Sequence, residues 1–216
     1  MPKVERRKVK PPSPEMYGAF LDAMENELYP LVLLCGYSGL RRGELCGLKW
    51  TDVNLDTGRL QVNRQRVSVG YQVSEREAKS DAGQDRVVYL DGGATGALKT
   101  WRTTQRKERL AWGPAYADGG YVFTRENGEP LHPDAVTKIV GRMCRRAGMP
   151  ATLHTLRHFR AAALISTGAD ISVVSKMMGH ASIGVTSDIY GSLFEVAQQG
   201  VSEKAAALVP RHSVSA

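Results

Sequence analysis

The apolar positions of this chain fall into blocks of different period. After a basic opening, PPSPE reads as the end of a linker and the start of a helix, with Ser13 suited to cap and Pro14 to the first turn. Tyr17, Phe20, Leu21 and Met24 then recur at helical spacing. Pro30 opens LVLLCGYSG, apolar nearly all round, which predicts a central helix broken at Gly39. Between residues 55 and 90 the pattern changes. NLDTG predicts a turn, and RLQVNRQRVSV, YQVSE and RVVYL predict three strands, with KSDAGQ joining the last two. Residues 94–110 return to helix, YVF is a short extended piece, and Asn127-Gly128 a turn. From Asp134 the helical period dominates. Val136, Ile139, Val140, Met143 and Cys144 form a stripe ended by Gly148, and a helix over 155–167 ends at Gly168. Asp170 caps the next, with Val173, Val174, Met177 and Met178 inward and Gly179 closing it. Ser182 begins another that carries Val185, Ile189 and Tyr190, and SEKAAALV at 202–209 is a last helical piece. The fold class expected is mixed α/β, mainly α-helical, with a small three-stranded antiparallel sheet.

Composition narrows the setting. A chain of 216 residues makes one large domain or two small ones and can bury a core. No apolar run is long enough to span a bilayer, and the basic N-terminus lacks the apolar stretch of a signal peptide. Cys35, Cys46 and Cys144 are not spaced as metal ligands, and are read as reduced structural thiols of a cytosolic protein. The formal charge of +7 suits a polyanionic partner. Its concentration in residues 1–10 and 99–109 fits either phosphate contacts or solvated helix faces.

Four polar islands stand in apolar settings: Arg41 with Glu44, Lys79 in a strand connection, His154 with Arg157, and His180 followed by Tyr190. Taken singly they have ordinary readings, as a salt bridge, a solvated lysine, a capping histidine and a core tyrosine. Their order along the chain resembles the tyrosine recombinases, the phage integrase family. SGLRRGELCGLKWTDV resembles the first conserved box, AKSDAGQDRVVYL the lysine hairpin, and LHTLRHFRAAALISTGADISVVSKMMGHASIGVTSDIYGSL, without a gap, the second box. The resemblance runs from Ser13 to Leu193, essentially the family's catalytic domain. It divides the chain into a basic linker or extension (1–12), the catalytic domain (13–193) and a C-terminal tail (194–216) that docks either in trans on a neighbouring protomer or back on its own domain.

The resemblance implies site-specific cleavage and rejoining of DNA through a 3′-phosphotyrosine, and the residue types suit that chemistry. Tyr190 would be the nucleophile. Arg41 and Arg157 would clamp the non-bridging oxygens with guanidiniums that stay charged. Lys79 would protonate the leaving 5′-oxygen, His154 would exchange the tyrosine proton or orient the phosphate, and His180 would donate a further hydrogen bond. Glu44 would hold the first box in position. His158 recurs in the family's second box as a structural contact, and Arg160 is expected either on the DNA backbone or, by preference, in solvent. No metal or nucleotide cofactor is implied, there being no acidic cluster for magnesium and no phosphate-binding glycine loop. The implied partners are double-stranded DNA at a recombination site and further protomers in a tetrameric synapse, with no membrane, in the cytoplasm of a bacterial host. Two departures stand out: only MPKVERRKVKPP precedes the domain where relatives carry a core-binding domain, and Ser192 stands where many relatives have a histidine. The first is expected of either a fragment of a longer integrase or a minimal enzyme. Two rival readings stay open, a topoisomerase-like relaxing enzyme and a DNA-binding module inactive without its clamp.

Overall fold

A computed structural model describes residues 11–24, 28–70, 72–77, 86–191 and 193–194. Helix α1 (Pro14–Asp22) starts at Ser13, whose hydroxyl accepts from the Met16 amide. Its Tyr17 packs on α2 (Tyr29–Ser38) and donates to the Val32 carbonyl at 2.8 Å. Helix α2 is buried along almost its whole length, as a helix with no polar face must be. Gly39, at φ 65°, ends it in the left-handed conformation that glycine tolerates best. Helix α3 (Arg42–Gly47) follows at once.

The strands differ from expectation in membership. β1 (Val53–Asn54) and β2 (Arg59–Val62) are followed by β3 (Arg64–Val69), β4 (Gln72–Glu77) and β5 (Arg86–Tyr89). There is a three-stranded antiparallel sheet, but its order is β1-β2-β5, and β3 with β4 forms a separate hairpin. The single strand expected over 59–69 is therefore split at Asn63. The reason is Asp52, a nearly buried carboxylate that accepts from the Asn63 amide at 2.8 Å and from Arg64 at 3.0 Å. Satisfying that acid turns the chain out of one ladder into the other. Helix α3 then lies on the backbone of β3, so close that a Cβ on Gly43 would come within 2.8 Å of the Arg66 carbonyl.

In β2 and β5 the alternation puts Leu60, Val62 and Val88 inward, and Arg86, paired with Val62, goes in with them. Helix α4 (Gly92–Trp112), capped by Asp91, packs on α2 and gives Ala94, Leu98 and Trp101 to the core. The expected helical run after Asp134 is α5 (Pro133–Arg146), α6 (Leu153–Ser166), α7 (Ile171–Met178) and a stretch over 183–191, here α8. On α7, Val174 and Met178 are buried, while Val173 faces out. Val185 and Ile189 of α8 are exposed too. The main core joins α1–α6 and the sheet, and a smaller cluster of Ala161, Ile165, Val174, Met178 and Tyr190 joins α6, α7 and α8. Cys35, Cys46 and Cys144 are free and buried. Among the described residues no helix is long and apolar enough to cross a membrane. Residues 1–10, Lys79 with its connection, Ser192 and the tail from 195 lie outside the described residues.

Candidate active site

The site grows from helix ends. Arg41 is the N-cap of α3, and its amide donates to Glu44 Oε2 at 2.7 Å. Its guanidinium bonds Glu44 Oε1 at 2.8 Å and also donates to the Gly179 carbonyl. Glu44 is buried, but the Arg41 side chain remains 41% exposed, so one flank is free for a ligand. Burial alone would raise the Glu44 pKa. The Arg86 guanidinium and the bonds from Arg41 outweigh it and hold the carboxyl below its usual range.

Thr152 caps α6 and so fixes the start of the HTLRHFR segment. Arg157 is buried one turn in and donates to the Gly39 and Met178 carbonyls. Burial first, then the neighbouring Arg41, brings its pKa down to about 9. Arg86, missed in the sequence, is equally buried. It donates to Glu44 at 2.8 Å and to the Met178 carbonyl at 2.9 Å. Its sequence signal was faint: an arginine in phase with the inward positions of RVVYL. Two guanidiniums thus bond one carboxylate while a third, Arg157, is held beside them by backbone carbonyls, and the excess positive charge is held by the protein before any ligand arrives.

The tyrosine is sealed in. Tyr190 is 4% exposed, its hydroxyl is hydrogen-bonded to His158 Nδ1, and burial pushes its pKa up to about 12 against the opposing pull of Arg157. His158 is brought down to about 4 by burial, with His154 and Arg157 adding to the effect. The ring is therefore neutral near pH 7, and in the Nε2–H tautomer Nδ1 accepts from the phenol O–H. His154 is exposed and lies edge-on to His158, with ring centroids 4.5 Å apart. In this arrangement His158, not His154, touches the hydroxyl. His180 Nδ1 pairs with the buried Thr186 hydroxyl at 2.8 Å, and burial followed by Arg157 and Arg41 brings its pKa down to about 4. Arg160, expected in solvent, is half-buried, and desolvation lowers its pKa. The structure therefore brings together Arg41, Glu44, Arg157, His180 and Tyr190, with His154 at the rim.

The histidine shifts carry a stability consequence. Both folded values lie below the ordinary 6.5, so protons bind the unfolded chain more tightly between about pH 6.5 and 4. The associated stability is fully present above pH 6.5 and is lost as pH falls. Discounted for half-exposed rings, the pair should account for a loss of roughly 2 kcal/mol between pH 7 and pH 5. Urea unfolding at the two pH values measures this, and equal stabilities would contradict it.

This fold, a mainly helical domain with small antiparallel sheets, is that of the tyrosine recombinase catalytic domains. The Tn1549 transposon integrase, solved in complex with transposon right end DNA, superposes with a TM-score of 0.75 at 21% identity, covering 94% of this chain and 67% of that one. The crystal structure of XerA recombinase gives 0.68 at 24%, covering 98% and 68%. Residues 13–195 match the model of the phage integrase family, and the chain belongs to that family. A tyrosine recombinase XerC-like protein of Caldanaerobacter subterraneus subsp. tengcongensis is 33% identical over 177 residues, 76% of this chain and 45% of the relative. Tyrosine recombinase XerA of Pyrococcus furiosus is 30% identical over 159 residues, 72% and 47%. The chain thus spans just under half the length of these two relatives.

Proposed function

We propose that residues 13–193 are the catalytic domain of a site-specific DNA recombinase that cleaves and rejoins strands through a 3′-phosphotyrosine. The observation that carries this reading is the buried excess of guanidinium charge gathered beside a tyrosine hydroxyl. Burying unpaired cations is costly, and a phosphodiester entering beside Arg41 and Arg157 relieves that cost. The Tyr190 oxygen attacks phosphorus, a Tyr–O–P bond forms, the bond to the 5′-oxygen breaks, and that oxygen leaves as a hydroxyl. Arg41 and Arg157 hold the non-bridging oxygens. His180 adds a hydrogen bond, and Glu44 keeps Arg41 in place. His158, the residue on the phenol, together with His154 at the rim, handles the tyrosine proton. Lys79 supplies the proton to the leaving oxygen. The partner is double-stranded DNA, with further protomers completing a tetrameric synapse in the cytoplasm of a bacterial host. Phe194 packs on the Tyr190 cluster of its own domain, and the tail beyond it docks in trans on one of those protomers.

The test is incubation with a nicked suicide duplex followed by denaturing electrophoresis, in which a covalent protein–DNA band is expected. The role of Lys79 is separable in the same assay. Lys79→Ala should cleave normal DNA poorly, yet recover on a 5′-bridging phosphorothiolate, whose sulfur leaves without a proton. Recovery of Arg41→Ala to the same extent would mean that leaving-group protonation and oxygen clamping are not divided in this way.

A further inference from the structure

One guanidinium is unclaimed by the chemistry above, yet it touches both boxes. Arg86 sits at the head of β5, directly after the connection that contains Lys79. One of its nitrogens bonds Glu44 at 2.8 Å, the carboxylate that holds Arg41. The other bonds the Met178 carbonyl at 2.9 Å, which also accepts from Arg157. It presses on Gly179 so tightly that a Cβ there would fall 1.9 Å from Arg86 Nη1, and Gly179 has φ +61°. The glycine before His180 is thus required twice, for its left-handed backbone and for the passage of this arginine. The Gly179 carbonyl in turn accepts from Arg41. Segments 41–44, 86 and 157–180 are far apart in sequence and converge on one side chain.

Such a group is more than a buried counter-ion. Neutralising Glu44 needs one charge, which Arg41 already provides. A second, fully buried guanidinium adds desolvation cost and repulsion toward Arg157. What it adds in return is geometry, because a planar fork spans two acceptors at fixed separation where an ammonium cannot. We infer that Arg86 is a positioning residue for the recombination reaction: through Glu44 and the Met178–Gly179 backbone it sets the spacing of Arg41 and Arg157 on the scissile phosphate. This rests on the function proposed above.

The experiment compares Arg86→Lys with the unaltered protein in single-turnover adduct formation on two suicide duplexes. One carries an ordinary scissile phosphate. The other carries a methylphosphonate there, which has one non-bridging oxygen fewer and no charge to clamp. Arg86→Lys keeps the charge beside Glu44, so DNA affinity should stay within about twofold, while adduct formation on the phosphate falls about tenfold or more, the loss expected for one misplaced charged donor. On the methylphosphonate the two proteins should react within about threefold of each other, because the misplaced clamp then has little to do. An equal loss on both duplexes, or no loss on the phosphate, overturns the inference. If Arg86→Lys does not fold, the neutral pair Glu44→Gln with Arg86→Gln gives the same readout, and a folded pair with the full phosphate rate overturns it likewise. A failure of the underlying function looks different: the unaltered protein itself then forms no Tyr190 adduct on the phosphate duplex.

Discussion

Tyr190→Phe is expected to abolish the covalent adduct while leaving the fold and DNA binding in place. The substitution removes one oxygen. The ring stays in its cluster with Ala161, Ile165, Val174 and Met178, and the only described partner of the hydroxyl is His158. Loss of that hydrogen bond should cost about 1 kcal/mol of stability, small against the stability of a domain of this size. The chemical effect is total because no other described side chain at the site offers an oxygen nucleophile of this reach. An adduct that persists, or that maps to another tyrosine, removes Tyr190 from its role. The resting geometry also explains how the nucleophile can be kept harmless. Its proton is held by a raised pKa, its acceptor is a neutral imidazole, and its ring is covered. Among the described residues, α8 is held inward by Tyr190, by Thr186 with its bond to His180, and by Phe194 just beyond it, and it shows Ile183, Val185 and Ile189 to solvent. An element with so few buried contacts opens at low free-energy cost, which is what presenting the hydroxyl to a phosphate requires.

The helical half of this fold was legible because each helix carries its own punctuation. Ser13 and Asp170 cap, and Gly39 and Gly179 terminate, within a turn of where the pattern changes, while α6 starts at Leu153, two residues before the expected 155, because Thr152 caps it. The sheet was less legible because its register is decided by a distant acid. Nothing local in RLQVNRQRVSV marks Asn63 as a break, since the break is made by Asp52 eleven residues earlier. The same limit governs the site. Arg41, Arg157, His180 and Tyr190 stand in segments whose order and spacing can be matched to a family. Arg86 acts only through contacts across the fold, with Glu44 and Met178, and Thr186 through His180 six residues earlier, a pairing that no apolar pattern marks. Periodicity alone predicts Val173 inward, and sets Val185 and Ile189 on the helix that leads to Tyr190. They face out because α7 and α8 each bury a single narrow stripe, so an apolar residue one position off that stripe is exposed.

Arg41→Ala and Arg157→Ala should be alike in catalysis and unlike in stability. Each removes one donor pair from the phosphate, and losing such a group typically costs about 2.7–4 kcal/mol of transition-state stabilisation, a rate loss of roughly a hundred- to a thousandfold. The structural consequences differ. The Arg41 side chain is partly in water, and without it Glu44 keeps both its bond to Arg86 and the Arg41 amide. Its removal should therefore change stability by less than about 1 kcal/mol, as for a solvent-screened ion pair. Arg157 is 6% exposed and ties the Gly39 carbonyl, at the end of α2, to the Met178 carbonyl, at the end of α7. Alanine there leaves a cavity and takes one donor from each of two carbonyls, partly offset by relief of repulsion toward Arg41 and Arg86. A net loss of about 2–3 kcal/mol is expected from the unmade bonds and the void. Urea unfolding and single-turnover cleavage on the same two variants read both quantities. Equal stability losses would show that Arg157 is not the strut joining α2 to α7, and normal cleavage by Arg41→Ala would show that the half-exposed guanidinium does not meet the phosphate.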